Sequence, residues 1–320
     1  MKRAFVTGGS GFLGGALVQA LVERGVATVA LARSDDAAAK VTALGATVSR
    51  GDLDSVNAAD LRDCDVVLHS AAMTKEHATL AEHRKVNVEG TRALLEVVQR
   101  AGVPRFVHVS TEAVLADGHP ILRADENVPY PAHPAGPYPI SKGEAERVVL
   151  AATRTGFAPV IVRPRFIWGV GDTSLLPQIA EAVERGKFAW IGGGHYPTST
   201  CNVANAVEGV LLAAERGKPG EIYFLTDGAP VDFRDFLTKL LATRGVTARD
   251  RTVPKWVARL VAATTSWMRV PPVTKTAIAL VGHEVTVVDD KARADLGYTG
   301  RVSIDEGLAR MRTSSVSSGS

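Results

Sequence analysis

The stretch Thr7-Gly8-Gly9-Ser10-Gly11-Phe12-Leu13-Gly14 follows a short apolar run, Ala4–Thr7, and opens a helical pattern over Phe12–Arg24. No other feature narrows the possible folds as much. The glycines fit two registers, Gly8-x-x-Gly11-x-x-Gly14 and Gly9-x-Gly11-x-x-Gly14. Both have one physical reading. Missing side chains permit a tight turn, let the backbone approach a pyrophosphate, and let the helix pack on the strand behind it. The start of that helix then offers unpaired N–H groups and the positive end of its dipole to phosphates. A glycine turn that binds nothing is the bland alternative, but a strand before it and a helix after it favour a dinucleotide site. Gly8, Ser10, Gly11, Phe12, Leu13 and Gly14 are therefore candidates for cofactor binding.

The chain continues as strand and helix in turn. Ala27–Ala32, Thr47–Arg50, Asp65–His69, Phe106–Ser110 and Pro159–Arg163 read as strands. Helices are expected over Asp36–Leu44, in a stretch reaching Arg62, from Val86 to Ala101, and over Tyr138–Thr155. This alternation predicts an α/β fold, a doubly wound parallel (Rossmann) sheet covered on both faces. Regularity weakens after Arg163, with helices expected at Leu175–Arg185, Val203–Glu215 and Phe233–Thr243. The expected organisation is a dinucleotide-binding domain over residues 1–165, rejoined by 203–225, with a strand at Ile222–Leu225. A smaller, mainly helical substrate lobe takes 166–202 and 226–312, and the serine-rich tail 313–320 is expected to be disordered.

Charge and cysteine content remove several classes. The net charge is +3 over 320 residues, without a basic block or aromatic-basic interleaving, which argues against a nucleic-acid partner. Cys64 and Cys201 are the only cysteines. They make neither a metal site nor a disulfide framework, and a reducing cytoplasm is the expected location. The apolar run after Met1-Lys2-Arg3 breaks at Gly8-Gly9, too early for a secretory signal, and no transmembrane segment is expected.

Tyr138 and Lys142, in Tyr138-Pro139-Ile140-Ser141-Lys142, fall on one face of a helix. A free tyrosine titrates near ~10, and a neighbouring fixed cation favours the phenolate, so the pair reads as an acid–base device. Such a pair alone is common; with the glycine turn it becomes specific. At the end of the second strand, Leu31-Ala32-Arg33-Ser34 lacks the acid that would hold a ribose 2′-hydroxyl. Arg33 can pair with a 2′-phosphate and Ser34 can add a hydroxyl, so NADP(H) is expected in preference to NAD(H). The alternative for Arg33 is a solvated surface residue. Asp52 and Leu53, after the third strand, are expected beside the adenine.

These motifs together resemble the extended short-chain dehydrogenase/reductase superfamily, and within it the 3β-hydroxysteroid dehydrogenase-like branch. The resemblance runs from Ala4 to about Leu308. Its further carriers are His69-Ser70-Ala71-Ala72, Asn87-Val88-Glu89-Gly90-Thr91, Val109-Ser110-Thr111-Glu112-Ala113-Val114, Arg163-Pro164-Arg165-Phe166-Ile167-Trp168-Gly169 and Lys291-Ala292-Arg293-Ala294-Asp295-Leu296-Gly297-Tyr298. It implies a catalytic group of Thr111, Tyr138 and Lys142, with Ser110 the competing hydroxyl. In that scheme Thr111 bonds the substrate carbonyl, Tyr138 protonates the alkoxide, and Lys142 holds the nicotinamide ribose. It further implies cofactor contacts at Ala71, Ala72, Asn87, Pro164 and Phe166, although Asn87 also reads as a helix-start cap. A homodimer built partly on the Tyr138 helix is implied as well.

The resulting expectation is an NADP(H)-dependent enzyme interconverting a ketone and a secondary alcohol on a lipophilic small molecule: sterol-like, β-keto acyl, or polycyclic or phenolic. An NAD-dependent nucleotide-sugar epimerase or dehydratase is the alternative, disfavoured by Ala32 where an acid belongs. A non-catalytic NADP sensor is the alternative of another class, and the intact Tyr138–Lys142 pair argues against it. His69, His108 and His195 are weaker acid–base candidates. Trp168, Tyr196, Trp256 and Trp267 are candidates for a substrate pocket or for plain core.

Overall fold

Strand β1 (Arg3–Thr7) runs through the middle of a seven-stranded parallel sheet and ends at the glycine turn. The computed structural model describes residues 1–320 apart from 266, 269, 270, 272 and 318–320. On one side of β1 lie β2 (Ala27–Ala32) and β3 (Thr47–Arg50). On the other lie β4 (Val66–His69), β5 (Arg105–Val109), then the strands Ala158–Pro164 and Ile222–Leu225. Successive residues such as Val66, Val67 and Leu68 are buried on both faces, as a helix-covered parallel sheet requires. The order reverses between β1 and β4, so a crevice opens where these two strands end. That is where open α/β sheets bind ligands.

Helices α1 (Phe12–Glu23) and α2 (Asp35–Ala43) cover one face through Leu13, Leu17, Val18, Leu21, Ala38 and Val41. Helices α3 (Leu80–Arg84), α4 (Gly90–Arg100) and α5 (Pro137–Ala151) lie on the other, with Leu94, Leu95, Val98 and Val149 packed against Phe5 and Phe106. The helix expected from Val86 starts earlier. A capping box, Thr79 with Glu82, begins α3, and a π-helical turn over Lys85–Glu89 joins it to α4. The helical stretch expected to reach Arg62 is a series of turns instead. There Asp52, Ser55, Asn57 and Asp60 bond to nearby backbone N–H groups, competing with helix formation.

A second core belongs to the lobe. Phe166, Trp168, Leu176, Trp190, Phe233, Phe236, Leu240 and Leu241 pack together, carried partly by α6 (Leu175–Glu184) and α8 (Phe233–Ala242). Between these two helices in sequence, α7 (Val203–Arg216) returns to the sheet with the Ile222–Leu225 strand. So does α11 (Asp290–Leu296), whose Ala292 and Leu296 join the sheet core; residues 226–312 are therefore not all lobe. Helices α9 (Lys255–Thr264) and α10 (Lys275–Val281) pack on each other, and α10 reaches α5: Thr276 Oγ1 donates to Ala135 O at 2.7 Å. The last helix, α12 (Ile304–Ser317), continues through most of the tail expected to be disordered, and 318–320 lie outside the described residues.

Candidate active site

The glycine turn admits nothing larger where it matters. A Cβ on Gly14 would lie 2.0 Å from Gly8 O, and one on Gly8, at φ +73°, would lie 2.7 Å from Ala71 N. Helix α1 starts at Gly11 with no capping side chain and no acid in its first turn, and Ser10 and Gly11 are exposed. By contrast α2 has Ser34 as cap and Asp35 and Asp36 in its first turn. An uncapped helix end beside exposed glycine backbone at the switch point fits the pyrophosphate of a dinucleotide. Phe12 and Leu13 begin the helix, Leu13 buried in the sheet core and Phe12 packed against it.

Arg33 and Ser34 are exposed at the end of β2. The Ser34 oxygen accepts from Ala37 N, leaving its own proton for a ligand. A second guanidinium stands nearby: Arg50, paired in register with Ala32, lies 2.8 Å from Asp35. The sequence reading did not single it out. Asp52 is exposed, whereas the Leu53 side chain is buried against Gly90, 2.7 Å from where a Cβ would stand. Leu53 thus packs α4 onto the sheet, leaving Asp52 as the more open of the two.

A chain of hydrogen bonds joins the glycine turn to the Tyr138 helix. Ala71 N donates to Thr7 Oγ1 at 3.2 Å, and Thr7 Oγ1 lies 2.7 Å from His69 Nδ1. His69 Nε2 lies 2.9 Å from Thr91 Oγ1, which donates to Asn87 O. With the Thr91 proton spent on a carbonyl, His69 must donate from Nε2 and accept at Nδ1 from Thr7. Burial, then the Lys142 cation, push the His69 pKa down to about 3, so the ring is neutral. Asn87, 2% exposed, accepts from Met73 N and donates to Met73 O and Ser141 Oγ. It sits inside the π turn, not at a helix start, and its amide holds the loop after Ala71 and Ala72 against α5.

Lys142 is buried, with Nζ 2.8 Å from Val109 O and 3.2 Å from His108 Nε2. Burial lowers its pKa to about 8, and the Glu146 carboxylate opposes that fall. His108 is held well below its ordinary value by burial, Lys142 and His69. Tyr138 is half-buried, with its hydroxyl beside Thr111. Burial and the nearby Glu112 carboxylate raise the phenol above its ordinary pKa, opposite to the lowering expected from Lys142. Thr111 Oγ1 donates to Glu112 Oε2 at 2.8 Å, and Glu112 Oε1 lies 3.0 Å from Arg165. Both of those charged side chains are 3% exposed. Among the described residues Ser110 Oγ is buried with no hydrogen-bond partner, and of the two hydroxyls Thr111 is the one beside Tyr138.

Other expected residues divide. Pro164 ends its strand at the same side of the sheet. Phe166, at φ +47°, turns its ring into the lobe core against Phe233 and Phe236, a packing position rather than a cofactor lining. Trp168 is buried, but Trp256 and Trp267 are 69% and 82% exposed. His195 lies on the surface with Asp232 and Asp235, their ligating atoms within 4.8 Å of one another. Sequence reasoning missed Glu112 and Arg165 as a pair. The available signal was a charged residue inside each of two otherwise apolar motifs. It also missed the buried pair Glu146–Arg163, 2.6 Å apart, with Tyr130 donating to Glu146 Oε2.

Comparison with known proteins identifies the family. Residues 5–255 match the 3-beta hydroxysteroid dehydrogenase/isomerase family. A ketoreductase of Stigmatella aurantiaca acting on 4-hydroxy-2-methyl-3-oxo-4-farnesyl-3,4-dihydroquinoline-1-oxide is 50% identical over 97% of this chain and 96% of its own. A 2-alkyl-3-oxoalkanoate reductase of Stenotrophomonas maltophilia is 34% identical, covering 98% and 99% respectively. Among solved structures, gox2253 superposes with a TM-score of 0.78 at 28% identity, over 98% of this chain and 99% of that one. A UDP-glucose 4-epimerase of Thermotoga maritima, at 21% identity and 0.77 over 99% and 100%, shares the fold. The chain belongs to the 3-beta hydroxysteroid dehydrogenase/isomerase family, within the extended short-chain dehydrogenase/reductases, and is an NAD(P)-dependent oxidoreductase.

Proposed function

We propose that the protein uses NADPH to reduce a lipophilic ketone to its secondary alcohol, with Tyr138 as the proton donor. The observation that carries this reading is the Tyr138–Thr111–Glu112 chain at the end of β5, beside the crevice of the glycine turn. A bound reduced nicotinamide supplies the hydride. Tyr138 gives its proton to the oxygen that becomes the alkoxide, and burial with Glu112 keeps the phenol protonated until then. Thr111, its own proton committed to Glu112, holds the Tyr138 hydroxyl through a lone pair only until the ketone oxygen takes over that hydrogen bond. Lys142 spends two ammonium protons on Val109 O and His108 Nε2, leaving the third for a ribose hydroxyl.

Arg33 and Arg50, with Ala32 in the place of an acid, favour the 2′-phosphate of NADPH. The relatives named above reduce keto groups beside a farnesyl or an alkyl chain, which supports a substrate of that class. The test is a panel of 2-alkyl-3-oxo acids and prenylated or polycyclic ketones, followed at the reduced-nicotinamide absorbance with each cofactor. Turnover with NADPH is expected. Failure of every ketone, and of the corresponding alcohols with the oxidised cofactors, would refute the activity; a preference for NADH would refute the cofactor assignment alone.

A further inference from the structure

We propose that the outer face of α9, carrying Trp256 and Leu260 and followed by Trp267 and Met268, docks on an anionic lipid surface. These side chains are 69%, 55%, 82% and 39% exposed. Trp256 and Leu260 are one helical turn apart, and the Trp267 indole folds back to donate to Thr264 O at the end of α9. The opposite face of α9 is made of small residues, Ala258 and Ala262, seated on Ile278 of α10. This helix buries its smallest apolar side chains and presents its largest ones. Single exposed apolar residues need no explanation, but four large ones exposed along one short helix and the residues after it mark an interaction surface.

Charge identifies the partner. From Lys239 to Lys275 the chain carries eight lysines and arginines against one acid, Asp250, although the whole chain has a net charge of only +3. Arg251, Lys255 and Arg259 are exposed on or next to α9. A second copy of the chain would bring this positive segment against itself. An anionic leaflet attracts it, while tryptophans settle at the headgroup level and apolar side chains enter the acyl boundary. None of the described helices is long and apolar enough to cross a membrane, and α9 has ten residues, so it lies on the surface.

The placement gives the contact a purpose. Helix α9 packs on α10, and α10 is tied to two segments near Tyr138: Thr276 Oγ1 to Ala135 O, just before that residue, and Thr274 Oγ1 to Glu76 in the loop after β4. The docked face is therefore on the roof of the site, where a membrane-dissolved ketone reaches the cleft without crossing water. This last step rests on the proposed function; the docking itself does not.

The test is co-sedimentation of the full chain with phosphatidylcholine vesicles, with and without about a third phosphatidylglycerol. Binding to the anionic vesicles is expected, with a blue shift of tryptophan emission and weakening by salt. Trp256→Ser with Trp267→Ser should lower the partition about tenfold or more, while turnover of a water-soluble ketone accepted by the wild type stays the same. Leu260→Gln alone gives an independent reading should the double variant fold poorly. The proposal is overturned if the wild type stays in the supernatant with anionic vesicles at low salt, or if these substitutions leave its partition unchanged. A dimer that the substitutions dissociate, with no vesicle binding, would assign the face to a second copy instead. Failure of every ketone would sink the proposed function without touching the vesicle result.

Discussion

Thr111 gives its single proton to Glu112, across 2.8 Å, and so can meet Tyr138 only with a lone pair. Glu112 in turn faces Arg165, which spends another N–H on Leu280 O at 2.8 Å. The carboxylate thus orients the Thr111 hydroxyl and, after burial, adds to the proton affinity of the Tyr138 phenol. Glu112→Gln should move the alkaline limb of kcat for ketone reduction to lower pH, because a charge that keeps the phenol protonated is gone. The measurement is a pH–rate profile at saturating substrate and cofactor. A limb that stays in place, or moves up, counts against the arrangement.

Tyr138→Phe removes one hydroxyl and keeps the ring. Turnover should fall ~10²-fold or more, the usual scale for losing a general acid, with cofactor affinity retained by fluorescence titration. Thr111→Ala should also cost turnover, whereas Thr111→Ser should restore most of it. Near-normal turnover by the phenylalanine variant would place the chemistry elsewhere.

Arg33 stands exposed at the end of β2, directly after Ala32, the place of an acid that would hold a ribose 2′-hydroxyl. Arg33→Ala should lose ~1.5–3 kcal/mol of NADPH binding, the scale of a charge-assisted contact, and little or no NADH binding. Calorimetry with both cofactors checks this; equal losses would mean that Arg33 does not read the 2′-phosphate.

Lys142, with a pKa of about 8 in the absence of cofactor, is charged at neutral pH and loses its proton as pH rises through that value. NADPH affinity should therefore decline through the same range. Glu146 opposes the fall in the Lys142 pKa, so Glu146→Gln should start the decline at lower pH. It also leaves Arg163 buried without its anion, which should destabilise the fold by about 3–5 kcal/mol. Titrations across the alkaline range, read together with urea melts, separate the two effects.

His69 is neutral when folded, at about 3 against an ordinary 6.5. The unfolded chain binds the proton first, so the contribution of this group to stability is complete above ~6.5 and is lost as pH falls toward ~3. The loss should reach a few kcal/mol, on the order of the shift. His69→Gln should flatten that acid slope in urea unfolding while lowering stability at neutral pH. An unchanged slope would show that His69 does not set it.

Much of this was legible in the chain. The switch-point sheet follows from strands and helices of the usual length, and Gly8 to Gly14 mark its ligand end, because glycine spacing is a local property. Tyr138 and Lys142 were legible for the same reason, being one turn apart on one helix. Glu112 and Arg165 were not, because their pairing depends on how the strand Ala158–Pro164 lies beside β5. The rise in the Tyr138 pKa is likewise a product of burial and of a carboxylate brought near by folding. Residues 51–62 misled because their spacing suits a helix while their Asp, Asn and Ser side chains take the backbone bonds.

The route of the chain through its two cores has an engineering consequence. It leaves the sheet after Pro164, returns with α7 and the Ile222–Leu225 strand, leaves again for α8 to α10, and returns with α11. A fragment stopped at residue 165 would present a bare strand edge and lose the helices that seal one face, so the cofactor half cannot be harvested by truncation. Exchanging substrate preference between relatives must instead keep those returning segments and transplant what lies between them. The sections suited to grafting are 166–202, 226–289 and α12, moved together, since α12 adds Leu308 and Met311 to the same lobe core.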